Sequence, residues 1–213
     1  VAAPDDPANN AAFTEEALRL NDRYVREVVE AFNVCPFARG ARLSGAAVRE
    51  VDLLDVCDAS AIVEVVERYE RGSPEVSVVQ VIYPRLKVSA RAFDALVSTA
   101  RALRAAREPT PPFALAPFHP DFALDASTPD ALVAFFRRTP DPTIQLVRRS
   151  VIDALTRDPD AYAAQMERFL RGEAPPPPSV ASRITRDNFD RVMRDGPEVI
   201  AAIYAAIARD RRA

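Results

Sequence analysis

The sequence predicts an α/β (or α+β) fold, with a layered three- to four-stranded sheet, flanking helices and a C-terminal helical extension. Three observations predict it. The middle of the chain alternates between strand-like and helix-like hydrophobic periodicity, the pattern of a layered sheet-and-helix core. The stretch "EVSVVQVIYP" (75–84) is a nearly continuous β-branched run closed by Pro84, as in a strand buried on both faces. Beyond a polyproline run, "GEAPPPPS", the remaining pattern is helical.

Taken in order, residues 1–11 read as a disordered tail of Pro, Asp and Asn. From Phe13 the pattern is helical, with Tyr24, Val25, Val28, Val29 and Phe32 on one face. Pro36 disfavours helical backbone at the residue before it, so this helix ends by about Cys35. "AVREVDLL" (47–54) alternates as a half-buried strand does, and "DASAIVEVVERYERG" then forms a helix closed by Gly72. Strand 75–84 follows. Ser89 caps a helix over 90–107 with Phe93, Leu96, Val97, Ala100 and Leu103 as its apolar stripe. Residues 112–119 are extended, and the prolines there suit an edge strand. Thr128 and Pro129 are an N-cap and first-turn pair for a helix to about Phe136. "RTPDPTIQLVR" is extended and leads into a helix at 150–156, and another helix covers 159–171.

The domain organisation read from this is a tail (1–11), an α/β core (12–172), a Pro-rich spacer (173–183) and a helical segment (184–213). That last segment holds a helix from Thr185 to Arg194 and one started by Pro197. Its Ile200, Ile203, Tyr204 and Ile207 form a stripe that calls for burial against the core. The expected core includes Val25, Val28, Val29, Val78, Val79, Val81, Phe93, Leu96 and Leu115.

Composition narrows the function. With 213 residues, 48% hydrophobic and 28% charged, the chain is of ordinary globular character. A formal net charge of -3 gives no reason to expect nucleic acid or an anionic membrane as partner. No uncharged apolar run reaches membrane-spanning length, and the N-terminus lacks the basic-then-apolar pattern of a signal peptide. Cys35 and Cys57 cannot make a disulfide framework, which fits a cytoplasmic protein with reduced thiols. Five glycines supply neither GxGxxG nor GxxxxGK[ST], and one histidine excludes a multi-histidine metal centre.

Three stretches carry candidate chemistry. In "FNVCPFARGAR" (32–42), Cys35 stands near a helix end with Arg39 and Arg42 close by in sequence. Positive charge favours a thiolate, whereas a helix C-terminus opposes it, and a buried cysteine acting as a small hydrophobe is the alternative. In "PFHPDF" (117–122), His119 lies between prolines at a strand end, with Asp121 two residues on. It suits a general base, a metal ligand or an anion donor, or else a histidine that only bonds backbone carbonyls. In "RRTPDPTIQLVRR" (137–149), Arg138 and Arg148 flank an Asp-Pro-Thr turn with Gln145 between them. Ile144, Leu146 and Val147 anchor the segment, so some of its arginines face inward, where a planar guanidinium binds carboxylate or phosphate.

"CPFAR" (35–39), "FHPDF" (118–122) and "RTPDPTIQLVRRSV" (138–151), in this order, resemble the uncharacterised bacterial DUF1415 family over roughly residues 13–157. The chain differs from that family's usual pattern in lacking tryptophan and in carrying Gln145 where a histidine is common. The resemblance implies a shared site at these three stretches and supplies no activity or cofactor. Three readings follow. In the first, an enzyme uses Cys35 as nucleophile, His119 as base and Asp121 (or Asp125) as orienting acid. Arg39, Arg138, Arg148 and Gln145 then bind a small carboxylate- or phosphate-bearing substrate. In the second, Cys35 and His119 ligate haem or a metal. In the third, the arginines make a non-catalytic anion-binding or interaction module and Cys35 packs.

Overall fold

The computed structural model describes residues 7–35, 37–156, 171 and 180–212. The expected helix at 159–171 and most of the Pro-rich spacer lie outside these residues. The fold is mixed α/β. Helix α1 (Pro7–Tyr24) continues as a π-helical turn, Val25–Glu30, and is followed by α2 (Ala38–Leu43), β1 (Ala47–Val51) and α3 (Ala59–Gly72). Then come β2 (Val78–Ile82), α4 (Ala90–Arg107), β3 (Phe113–Phe118), α5 (Pro129–Phe136) and β4 (Thr143–Arg148). The described chain closes with α6 (Arg149–Thr156), α7 (Val180–Asp195) and α8 (Pro197–Arg209).

Local chemistry sets these boundaries. Asp58, Ser89 and Thr128 each accept a bond from the backbone N–H three residues on, at 2.9, 3.3 and 3.1 Å, and so start α3, α4 and α5. Such a cap contributes about 1 kcal/mol. Three expectations move. Helix α7 begins at Val180, inside the expected 173–183 spacer and ahead of the expected start at Thr185. Helix α1 begins at Pro7, inside the stretch expected to be tail, because proline is favourable in a first helical turn where its missing N–H costs nothing. The helix before Cys35 does not stay α-helical. Ala31 N–H reaches back to Arg26 O (3.2 Å) and Val34 N–H to Val29 O (2.9 Å), both five-residue spacings. At Gly196, φ is +91°, a conformation L side chains rarely adopt, and this allows the abrupt turn from α7 into α8.

The sheet order is β1-β2-β4-β3. Strands β1 and β2 are parallel, and β4 is inserted antiparallel to both β2 and β3. Side chains alternate between the two faces of a strand, so register assigns every residue to a side. One face carries Val48, Val79, Val81, Leu115, Ile144 and Leu146, packed under α3 and α4 with Ile62, Val63, Val66, Phe93, Val97 and Ala100. The β2 residues of that layer are 0–1% exposed.

The other face is covered unevenly. Leu20, Tyr24, Val25 and Val28 form a second core with Leu132, Phe135 and Phe136 of α5 and with Ile200, Tyr204 and Ile207 of α8. Helix α8 thus packs through Ile200, Tyr204 and Ile207. The sheet contributes Phe118 and Ala116 of β3 to that cluster. On the β1–β2–β4 side the same face holds Arg49, Gln80 and Gln145 in one cross-strand row, with Ala47, Val78 and Val147 in the next. A polar row in the middle of a sheet face does not attract a packed helix, and a cleft remains there.

Candidate functional site

The cleft has two adjoining chambers. The larger, about 460 Å³, has the sheet as its floor, through Ala47, Arg49, Val78, Gln80, Gln145 and Val147. Val25 and Val29 of the π-helical turn, Phe37, residues of α2 and Val151 of α6 wall it. The smaller, about 220 Å³, lies between Tyr24, Val34, Phe118, Leu132, Phe136, Arg137 and the α7 residues Thr185 and Asn188. Val29, Cys35 and Gln145 line both chambers. Cys35 is a free, exposed thiol at their junction. The five-residue hydrogen bonds of the π turn widen the helix over the cleft, and such distortions recur at functional sites.

Charges divide unequally between the chambers. Arg42 makes a two-pronged bond to Glu30 at 2.7 and 2.9 Å, which holds the Glu30 carboxyl below its ordinary range. Arg49 is paired with Asp22 at 3.1 Å. Asp22 also pairs with Arg26 at 2.7 Å, so both arginines that line the larger chamber have carboxylate partners, one of them shared. In the smaller one, Arg137 is half-buried, and among the described residues its guanidinium meets no carboxylate and donates no hydrogen bond. It lies over the Phe118 ring, whose centre is 5.9 Å from its central carbon. Burial weakens its proton affinity, an effect to which Arg101 adds and against which Tyr24 and the Asp94 carboxylate work without touching it. The other polar groups there are mostly engaged: Tyr24 Oη donates to Phe136 O at 2.7 Å and Asn188 Nδ2 to Val34 O at 2.9 Å. On the floor, Gln80 Nε2 donates to Gln145 Oε1 at 3.4 Å.

The residues expected from the sequence do not all meet here. Cys35 and Gln145 do. His119 lines neither chamber and is 1% exposed. Its Nε2–H donates to Val88 O at 2.9 Å, its Nδ1 accepts the Asp121 N–H at 3.1 Å, and its ring packs on Phe93 and Phe122. Both nitrogens are occupied, so neither a Cys35–His119 catalytic pair nor a Cys35–His119 ligand pair is assembled in this arrangement. Asp121 is exposed, with Oδ2 3.8 Å from the ring, and Asp125 caps its own turn at Ser127 N–H (2.8 Å).

The expected arginine clamp is also dispersed, because Arg138 and Arg148 stand at opposite ends of β4. Arg138 donates to Phe122 O at 3.0 Å and lines a separate cavity of about 140 Å³ with Tyr204 and Pro140. Arg148 is architectural: it donates to Val76 O and Ser73 O, both at 2.9 Å, and lies over the Phe113 ring at 4.4 Å. Arg39 is exposed and lines neither chamber. Cys57 is half-buried, and burial pushes its thiol up to about 11.

Three cleft residues escaped the sequence reading: Gln80, Arg137 and Asn188. Gln80 had the signal that the expected Gln145 also carries: it is an amide set inside an apolar strand, "VVQVI", where a carbamoyl group is costly without a purpose. Arg137 sat in the expected arginine segment, and which of two adjacent arginines turns inward depends on the end of α5. Asn188 belongs to a helix that no local pattern ties to Cys35. Among the described residues, no group of three or more His, Cys, Asp or Glu is arranged to hold a metal ion, and no helix is long and apolar enough to cross a membrane.

The fold and cleft define a mixed α/β protein with a thiol-mouthed pocket on one sheet face. A family model described as "Protein of unknown function (DUF1415)" matches residues 16–168, and the chain belongs to that family. No curated protein and no solved structure matches it. The matched segment contains Cys35, Gln80, Arg137 and Gln145, whereas Thr185 and Asn188 come from beyond it.

Proposed function

We propose that the protein binds a small anionic molecule in this cleft and presents the Cys35 thiol to it as a nucleophile. The observation that carries this reading is the position of Cys35 at the junction of two chambers, one of which holds an arginine that makes no ion pair among the described residues. A half-buried guanidinium is costly to leave unpaired, and an incoming anion removes that cost. The amide row of Gln80 and Gln145 supplies oriented dipoles beside the sulfur. A cytoplasmic setting, where thiols stay reduced, keeps the nucleophile available. His119 has no part in this reading. The Cys35 proton leaves to solvent or to the bound anion itself.

Alkylation by an anionic and a neutral reagent tests it. Iodoacetate carries the charge that Arg137 is suited to bind, and iodoacetamide does not. The iodoacetate-to-iodoacetamide rate ratio at Cys35 is expected to be about tenfold higher in the native protein than at the same thiol in the urea-unfolded chain, as one partly desolvated charge contact allows. Arg137→Gln abolishes the excess and Arg137→Lys keeps part of it. Peptide mapping separates Cys35 from Cys57. Equal ratios in native and unfolded chains refute the reading.

A further inference from the structure

Resting on that reading, we infer that the natural ligand is an amphipathic monocarboxylate: an apolar acyl or aryl body in the larger chamber and a single carboxylate against Arg137 in the smaller one, with the atoms between them passing the Cys35 sulfur. The two chambers differ in chemistry, and that difference sets the ligand class. The larger presents Val25, Val29, Val78, Val147 and Val151, and its two arginines are spent on Glu30 and Asp22. Among the described residues, both arginines lining that chamber already hold a carboxylate, so a second anionic group on the ligand competes with Glu30 or Asp22 for them. Its volume of about 460 Å³ is ample for a hydrocarbon body.

Among the described residues, the smaller chamber offers the Arg137 charge, held in no ion pair, and no other cation. One guanidinium in a partly desolvated site balances one negative charge, and its planar fork matches the two oxygens of a carboxylate. A phosphate monoester brings close to two charges at neutral pH and leaves the second uncompensated. The Tyr24 hydroxyl and the Asn188 amide are already bonded to backbone carbonyls, and Thr185 and Gln145 are neutral, so Arg137 is the charged group that selects the head. Because Val29, Cys35 and Gln145 line both chambers, a molecule occupying the two together must cross beside the sulfur.

Titration calorimetry on the full chain with butyrate, octanoate, octyl phosphate and octanol tests this. Each methylene moved from water into the apolar chamber is worth about fourfold in affinity, so octanoate is expected to bind at least ~10-fold tighter than butyrate. Octyl phosphate and octanol are each expected to bind at least ~10-fold weaker than octanoate. Octanoate at saturation slows alkylation of Cys35, and Arg137→Gln reduces octanoate affinity to that of octanol while its urea midpoint reports an intact fold. Equal affinity for butyrate and octanoate, or tighter binding of octyl phosphate, overturns the monocarboxylate assignment even when the iodoacetate preference of Cys35 is present. Loss of that preference instead overturns the reading beneath it.

Discussion

Gln80 and Gln145 face each other across the β2–β4 seam, with Gln80 Nε2 donating to Gln145 Oε1 at 3.4 Å on the cleft floor. They sit in strands whose other residues build an apolar layer, and Gln80 is 9% exposed. Removing one partner leaves a mostly buried amide unsatisfied, whereas removing both exchanges a long hydrogen bond for apolar contact. Gln145→Leu is therefore expected to cost about 1–2 kcal/mol, and the Gln80→Leu, Gln145→Leu double variant less than the sum of the two single losses. Urea unfolding of the four proteins measures the coupling. Strict additivity would mean that the amides act independently.

The Cys35 loop is held from outside the family-matched region. Asn188 Nδ2 donates to Val34 O at 2.9 Å and Arg191 Nη1 to Phe32 O at 2.7 Å, so α7 pins two carbonyls of the segment that carries the thiol. Breaking both bonds with Asn188→Ala and Arg191→Ala frees that segment to open locally. Amide exchange at 32–35 is expected to accelerate severalfold, while exchange in β2 and β4, at the sheet centre, stays unchanged. A uniform acceleration across the molecule would show a global loss of stability and no specific restraint on the loop.

These relationships mark the limit of what the sequence discloses. Helices α4 and α5 begin where Ser89 and Thr128 announce them, since a cap is a local hydrogen bond written in neighbouring residues. The strands at 78–82 and 113–118 are likewise legible from β-branched runs and prolines. Val25, Val28, Val79, Val81 and Phe93 are buried as expected, while Val29, Val78, Leu96 and Leu115 are half-buried. Val29 and Val78 are among the latter because they line the cleft. Strand order is non-local, and it decides the site. Inserting β4 between β2 and β3 brings Gln145 beside Gln80 and sends Arg148 to the far end of the strand. Likewise, His119 looked catalytic as a lone imidazole between prolines, and only the position of Val88 shows that its ring is consumed by the fold.

Arg148 and Arg137 give a contrast that sequence alone could not draw. Arg148 holds two backbone carbonyls and lies over Phe113, so Arg148→Ala is expected to destabilise the protein by about 2–3 kcal/mol. Among the described residues the Arg137 guanidinium makes no such bonds, and Arg137→Gln is expected to shift stability by less than about 1 kcal/mol while removing the anion preference of Cys35. Urea midpoints and alkylation ratios on the two variants separate the roles. An Arg148→Ala protein that keeps its midpoint but loses the iodoacetate preference would return Arg148 to the site.

Asp141 is 5% exposed and its partner is Arg211, at 2.7 Å, near the end of the chain. Burial raises the Asp141 carboxyl, and Arg211 works against that rise. Arg211→Ala strands a buried carboxylate and is expected to cost about 2–4 kcal/mol at pH 7, with the defect shrinking as acid neutralises Asp141. Asp141→Asn in the Arg211→Ala background restores most of the loss. Chemical unfolding at pH 7 and pH 5 checks both. A defect of equal size at the two pH values would assign the cost to lost packing of Arg211.

His119 provides the pH test that keeps structure and chemistry apart. Burial, the largest influence, lowers its proton affinity, while Val88 O and Asp121 raise it and Arg138 lowers it. A proton added at Nδ1 also displaces the Asp121 N–H that bonds there now. The folded value thus lies below the ordinary 6.5, so between the two values the unfolded chain binds more protons than the native one. Stability is then full above the ordinary histidine range and falls as pH drops below it, by no more than about 1.4 kcal/mol per pH unit, until the folded value is passed. His119→Gln removes that slope. Because both ring nitrogens serve the fold, the same substitution is expected to leave the pH dependence of Cys35 alkylation where it was. A Cys35 rate that fell with His119→Gln at constant stability would mean that the imidazole reaches the sulfur after all, and the thiol would have its base.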